Sequence, residues 1–399
     1  MPRSYLDHAS TSPVRPAALE AMIAQLRPVD GSTGADPGRI HHEGMMSRVA
    51  LEQAREQLAS LVGARPREVV FTSGATESIA AAHFGALQRE GAGTDVVASL
   101  VEHSAVRSWA VRSWAVQSRA AQSRAAQSRA GRGAHDAAGA IGVDHLGRID
   151  ADELMAHVDD STAIVDVQWG NHEVGTLQPV AEVVERCRER GVLVHVDAAQ
   201  AVGRVPIDFV ALGADLLSLS GHKFGAPPGS GALLVRRGVR LPPLLVGGDQ
   251  ERARRAGMEN VAAAVGLGAA AEELLGTLEA EHEAARRLTA RVVDWAGRTD
   301  GVAVLGDPTE RLPHLVCLGI EGIEPQPVLM GLDRAGIAVH SGSSCSTESL
   351  EPSPVLEAMG VDAERSLRIS TGWNTSDADI DRLLVELPAV LDQLRAYRT

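Results

Sequence analysis

The sequence predicts an α/β fold: a mostly parallel sheet covered by helices, followed by a smaller α+β domain. Three observations predict it. Short β-branched and aliphatic runs alternate with Ala-, Glu- and Arg-rich helical stretches. The runs are continuously apolar, as in strands buried on both faces. And 399 residues suffice for a large core and more than one domain.

Taken in order, the predicted strands are Glu68–Ser73, Asp95–Ser99, Ala163–Trp169, Val192–Val196, Leu216–Ser220 and Gly231–Val235, with helical patterns such as Val180–Arg190 between most of them. Val261–Ala296 reads as one long helix and a bridge. After it come a strand at Leu315–Ile320, a helix from Pro325 to Ala335 and a C-terminal helix from Asp377. The expected division is a large domain over 15–260, and a small domain formed by 1–14 and 261–399.

Composition narrows the function. Aromatics are only 3%, so the core rests on Leu, Val, Ile and Ala. A net charge of −14 argues against direct nucleic-acid binding and against an anionic membrane surface. Three cysteines, Cys187, Cys317 and Cys345, do not read as a disulfide framework and suit a reducing cytosol. Met1–His8 lacks the pattern of a signal peptide, and no apolar run approaches the ~20 residues of a membrane helix. The expected location is cytoplasmic.

From Val106 to Ala130 the chain repeats a pentad: VRSWA twice, VQSRA once and AQSRA twice. Five residues advance a helix by about 140° net, so equivalent positions build no single apolar face. We read the segment as a tandem expansion that lengthens a surface helix or loop. The other reading is a basic docking arm, since each pentad carries one Arg and no acid.

Four segments carry chemistry. Ser218–Lys223 (SLSGHK) places a lysine at a strand end among small residues, where desolvation favours the free amine a Schiff base needs. Phe71–Ser78 (FTSGATES) runs from strand into helix with small residues that leave backbone N–H groups for an anion. Asp197 closes a strand, and a buried carboxylate there needs a partner such as a pyridinium N–H or a helix start. Cys345 lies in a Ser/Gly-rich stretch, His340–Thr347, unlike Cys317 in its apolar strand. Cys187 has no evident role.

In this order, the segments resemble the fold-type-I pyridoxal-phosphate (PLP) enzymes of the class-V aminotransferase family, and within them the group I (long-loop) cysteine desulfurases. The likeness runs from Tyr5-Leu6-Asp7 nearly to the C-terminus, interrupted by the pentads. FTSGATES, HVDAAQAVG, SLSGHK and SGSSCSTESLEPSPVL carry most of it. The resemblance implies an aspartate aminotransferase-like large domain, a homodimer with sites at its interface, and conversion of L-cysteine to L-alanine. Lys223 would hold pyridoxal 5'-phosphate and shuttle protons. His103 would stack on its ring and assist acid–base steps. Asp197 would pair with the ring nitrogen, and Gln200 and His172 would lie by the phenolic oxygen. Ala75, Thr76, Ser220 and His222 would hold the phosphate. Arg368, with Asn171, would bind the substrate, the guanidinium clamping its carboxylate. Cys345 would take the sulfur as a persulfide for a sulfur-acceptor protein, as in iron–sulfur cluster assembly.

Several positions depart from the pattern. His172 and Asp36 each replace an asparagine, Met258 replaces a threonine that reaches the neighbouring subunit's phosphate, and Trp373 stands in a Gly-Arg position. Asp36 would repel a substrate carboxylate unless protonated or turned away. Two other expectations follow: a PLP-dependent lyase acting on another sulfur- or selenium-containing amino acid, or a weakly active scaffold. A specialised paralogue would serve sulfur incorporation into DNA, tRNA or a natural product.

Overall fold

The computed structural model describes residues 3–27, 35–112, 140–341 and 352–396. A seven-stranded sheet forms its centre, in spatial order Val69–Thr72, Gly231–Val235, Leu216–Ser220, Leu193–Asp197, Thr162–Gln168, Asp95–Ser99 and Ala140–Ile141. Gly231–Val235 runs antiparallel to both neighbours; the other neighbouring pairs are parallel. The six predicted strands all form, with ends shifted by at most one residue. The continuous apolar runs are buried along their whole length because helices cover the sheet.

Val180–Arg190 shows how pattern becomes packing. Val180, Val183, Val184 and Cys187 recur at helical spacing and are buried, and Gly191, at φ +69°, ends the helix in the left-handed region. Among the helices with no counterpart in the sequence reading, the two longest are Pro16–Leu26 and His42–Leu61. The buried stripe of the second includes Gly44, Ser47, Ala54 and Arg55, so polar and small residues hide its apolar period.

Val261–Ala296 is one helix of 36 residues, about 54 Å at 1.5 Å per residue, capped by the Asn260 side chain. One 18-residue window of it has mean hydropathy 1.4, which meets the length and composition of a membrane span and corrects the sequence expectation. Half of that window is buried inside the protein, because its apolar face packs on the core. Its first half, with Val261, Leu267, Ala271 and Leu274, joins the main core, and its second half, with Leu288 and Val292, joins a separate one. The separate core also takes Leu6, Leu318 and Leu367. It lies against a three-stranded antiparallel sheet ordered Ser366–Ser370, Leu315–Ile320, Val302–Leu305.

Most of the pentad segment Val106–Ala130, its residues 113–130, falls outside the described residues. Its first residues lie in a helix over 104–112, where Val106 is fully buried.

Candidate active site

The carboxyl ends of the parallel strands converge on one cavity of about 450 Å³, the usual ligand position in open α/β sheets. Its lining includes Thr76, His103, Asp197, Ser220, Lys223 and Arg368. All but Arg368, which sits in the middle of Ser366–Ser370 in the smaller sheet, come from a strand end or the segment just after it, so the central sheet sets their spacing.

One wall is an anion cradle. The helix Ala75–Leu87 starts at Gly74 with no side-chain cap, which leaves first-turn N–H groups for a ligand. Gly74 lies at φ +151°, and a Cβ on facing Gly231 would sit 2.5 Å from the Gly74 Cα, so this close approach requires glycine. Ser220 Oγ lies 3.0 Å from His222 Nδ1. Burial and the neighbouring Lys223 charge lower the His222 pKa to about 4, so the ring is neutral and keeps one N–H to donate.

The floor is Asp197, 8% exposed. Its Oδ1 accepts the Ala199 amide at 3.0 Å and the Ser218 hydroxyl at 3.4 Å, and no described residue bonds Oδ2. A protonated ring nitrogen suits that second oxygen. Lys223 Nζ donates to Ala9 O at 2.7 Å and Ser10 O at 3.0 Å, and Gln200 Nε2 donates to Ala9 O at 2.8 Å. The Ala105 amide donates to His103 Nδ1, so a neutral His103 ring carries its proton on Nε2. The Arg368 guanidinium is fixed by bonds to His172 O, the Asp7 carboxylate and Ser10 Oγ.

The aminotransferase class-V family profile matches residues 4–383, nearly the whole chain. The chain belongs to the aminotransferase class-V family. Over 396 residues this class-V chain is 39% identical to a protein named cysteine desulfurase from Trichormus azollae, covering 98% of this chain and 94% of that one. Over 398 residues it is 37% identical to the cysteine desulfurase NifS of Azotobacter vinelandii, covering 98% and 93%. It also resembles a solved NifS-like protein, with TM-score 0.83 at 28% identity over 98% of this chain and 99% of that one. The α/β fold with its mostly parallel sheet is therefore that of this class-V group.

Most residues singled out in the sequence share the cavity: Ala75, Thr76, His103, His172, Asp197, Gln200, Ser220, His222, Lys223 and Arg368. Asn171 does not. It is fully buried outside the lining, with Nδ2 bonded to Val101 O and Oδ1 taking the Glu173 and Val174 amides. Its side chain holds the turn that presents His172. Asp36 also lies outside the lining, tied to the Gly38 amide and Arg39. Met258 is exposed beside a different cavity. Trp373 bonds Pro13 O, and Arg15 lies 5.7 Å from its ring. Cys345 falls outside the described residues. Cys187 and Cys317 are buried, and burial pushes both thiols up to about 12, so neither is a nucleophile near neutral pH.

The sequence reading missed the segment Asp7–Ser12. Its carbonyls meet Lys223 and Gln200, and its side chains meet Arg368; a run of small polar residues after a two-residue strand was the only local sign.

It also missed Glu102, buried beside the cavity. Oε1 accepts the Gln168 amide at 2.9 Å. Burial first, then the charge of Asp166, raises the carboxyl to about 8. The folded protein therefore keeps this proton after the unfolded chain, near the ordinary 4.5, has lost it. Stability falls as pH rises between those values, by roughly 1.4 kcal/mol per pH unit for this one group. Glu102→Gln keeps the acceptor and removes the titration. Its melting temperature should rise relative to wild type as pH goes from 5 to 8; parallel melting profiles would refute this.

Proposed function

We propose that this class-V chain is a cysteine desulfurase that takes sulfur from L-cysteine, releases L-alanine and carries the sulfur as a persulfide on Cys345. The gathering of Lys223, Asp197 and the uncapped helix start at Ala75 in one cavity carries the reading. These groups fit pyridoxal 5'-phosphate at three points. An amine suits its aldehyde carbon, a carboxylate oxygen suits its ring nitrogen, and helix N–H groups with Thr76, Ser220 and His222 suit its phosphate. The names of the relatives support the same activity.

When bound, pyridoxal phosphate supplies a carbonyl carbon and an electron sink. The protein does the rest. Arg368, its plane set by Asp7 and Ser10, binds the substrate carboxylate. Lys223 and His103 carry protons to and from the substrate carbons. His172 and Gln200 hold the cofactor's phenolic edge. Cys345 attacks the substrate sulfur as a thiolate: an S–S bond forms, the C–S bond breaks, and the carbon keeps the bonding pair and is protonated to alanine. The buried, inert thiols of Cys187 and Cys317 support Cys345 as the nucleophile. Its long Ser/Gly-rich stretch fits the group I form, in which the loop carries sulfur to a protein acceptor. Resemblance also supports a homodimer. The lyase reading loses one of its motives, since Asp36 is held by Arg39 and Gly38 rather than in the cavity.

An anaerobic assay with L-cysteine tests this. Wild type should release alanine and transfer sulfur to an acceptor thiol, and Cys345→Ala should keep the cofactor's absorbance while sulfur transfer falls by at least about 100-fold. Alanine release at the wild-type rate from Cys345→Ala would favour a lyase. No absorbance change on adding pyridoxal phosphate to wild type would overturn the proposal. Arg368→Lys should raise KM about tenfold, more than it lowers kcat, because the bidentate fork is lost.

A further inference from the structure

Between the sheet and the helix Ala75–Leu87 lies a buried charge cluster that the reaction above does not use. His83, Asp166 and His195 are each at most 1% exposed. Asp166 Oδ2 lies 2.8 Å from His83 Nε2, and Oδ1 lies 2.7 Å from His195 Nδ1. His83 Nδ1 lies 2.7 Å from Ile79 O. His83 therefore faces an acceptor at each nitrogen, a carbonyl and a carboxylate, which an imidazolium satisfies with two N–H donors. The Trp109 ring, from the first pentad, lies nearly parallel to it at 5.9 Å and 17°, a face suited to a cation. Burial raises the Asp166 carboxyl, but the His83 charge and bonds from His195 and His83 outweigh it and hold the group near 2. Glu102, held protonated by burial, also faces Asp166, and the Arg112 guanidinium lies 5.8 Å from the Trp109 ring centroid.

The cluster ties together two parts of the cavity. Thr76 and His83 are seven residues apart and share a helix face. His195 and Asp197 are two residues apart and share a strand face. Asp166 pairs with His195 in register, as Gln168 does with Asp197. The anion cradle and the ring-nitrogen acceptor are thus held apart by one buried ionic strut.

We propose that His83, Asp166 and His195 are positioning residues, a buried imidazolium–carboxylate strut that sets the spacing between the Ala75–Thr76 cradle and Asp197 and thereby the affinity and ring-nitrogen charge of the cofactor. The proposal rests on the reading that this cavity takes pyridoxal phosphate. Its separate part is the charge state of His83, which exists with or without a ligand.

Three measurements test it: pyridoxal-phosphate titration of the apo chain, pH titration of the bound chromophore, and ¹⁵N NMR of the His83 ring in wild type at pH 8. Asp166→Asn should weaken cofactor affinity about tenfold and shift the chromophore pKa. The pair His83→Gln with Asp166→Asn keeps polar contacts without the charges and should show the same losses. Folded variants with wild-type affinity and an unshifted chromophore would overturn the proposal. If neither variant folds, the NMR decides: a doubly protonated ring supports the strut, and a neutral one overturns it. Wild type that takes up no pyridoxal phosphate would instead defeat the cofactor reading, while the NMR still reports on the ion pair.

Discussion

Lys223→Ala is expected to lower alanine formation from L-cysteine by at least about 10³-fold, since one amine serves as covalent anchor and proton carrier. The fold should survive. The lysine side chain reaches Ala9 O and Ser10 O, whereas its backbone is held separately, with Arg204 and Ser12 donating to Lys223 O. The anion cradle and Asp197 also remain, so the variant should still bind pyridoxal phosphate without a covalent link. Borohydride reduction followed by peptide mass spectrometry should place the cofactor on the Lys223 peptide in wild type and nowhere in the variant. Label on another lysine, or turnover within tenfold of wild type, would remove Lys223 from its role.

Arg55→Ala is expected to destabilise the protein by about 3–5 kcal/mol, the usual range for breaking a buried ion pair. Arg55 donates to both Glu251 oxygens at 2.7 Å and to Val69 O at 2.9 Å, and stacks 4.6 Å from the Phe71 ring centroid. Glu251 also accepts the Phe71 amide. Removing the guanidinium leaves a buried carboxylate without its cation. It also loosens a constrained turn, because Glu251, Arg252 and Ala253 all have φ between 48° and 60° in the left-handed region. Both partners grip Val69–Thr72, the strand that leads into the anion cradle, so cofactor affinity should fall as well. Arg55→Met with Glu251→Leu should recover part of the lost stability, since neither charge is then buried alone. Urea denaturation of the three proteins checks this; a loss under 1 kcal/mol in Arg55→Ala would count against the assignment.

The two halves of the cavity differ in how well the chain announces them. Lys223, Asp197 and Thr76 are legible because each follows an apolar run, and strand ends in a parallel sheet are where ligands bind. A motif position carries no direction: the Asn171 amide turns inward to Val101 O while its neighbour His172 lines the cavity. Ala9 and Ser10 contribute carbonyl oxygens, which no side-chain pattern encodes. Glu102, His83 and Asp166 looked like isolated polar residues, since their partners lie up to 83 positions away.

By itself the sequence determined the strand–helix alternation, the long bridging helix and the chemical types at the strand ends. These are local properties, set by apolar periodicity and by which residues start or stop an element. Only the tertiary structure decided which of them meet: the order of seven strands, the pairing of Asp7 with Arg368 across 361 positions, and the burial that keeps His222 neutral and Glu102 protonated. The physical reason is that charge state and hydrogen-bond partnership depend on distance and desolvation in space, and neither quantity is carried by position along the chain.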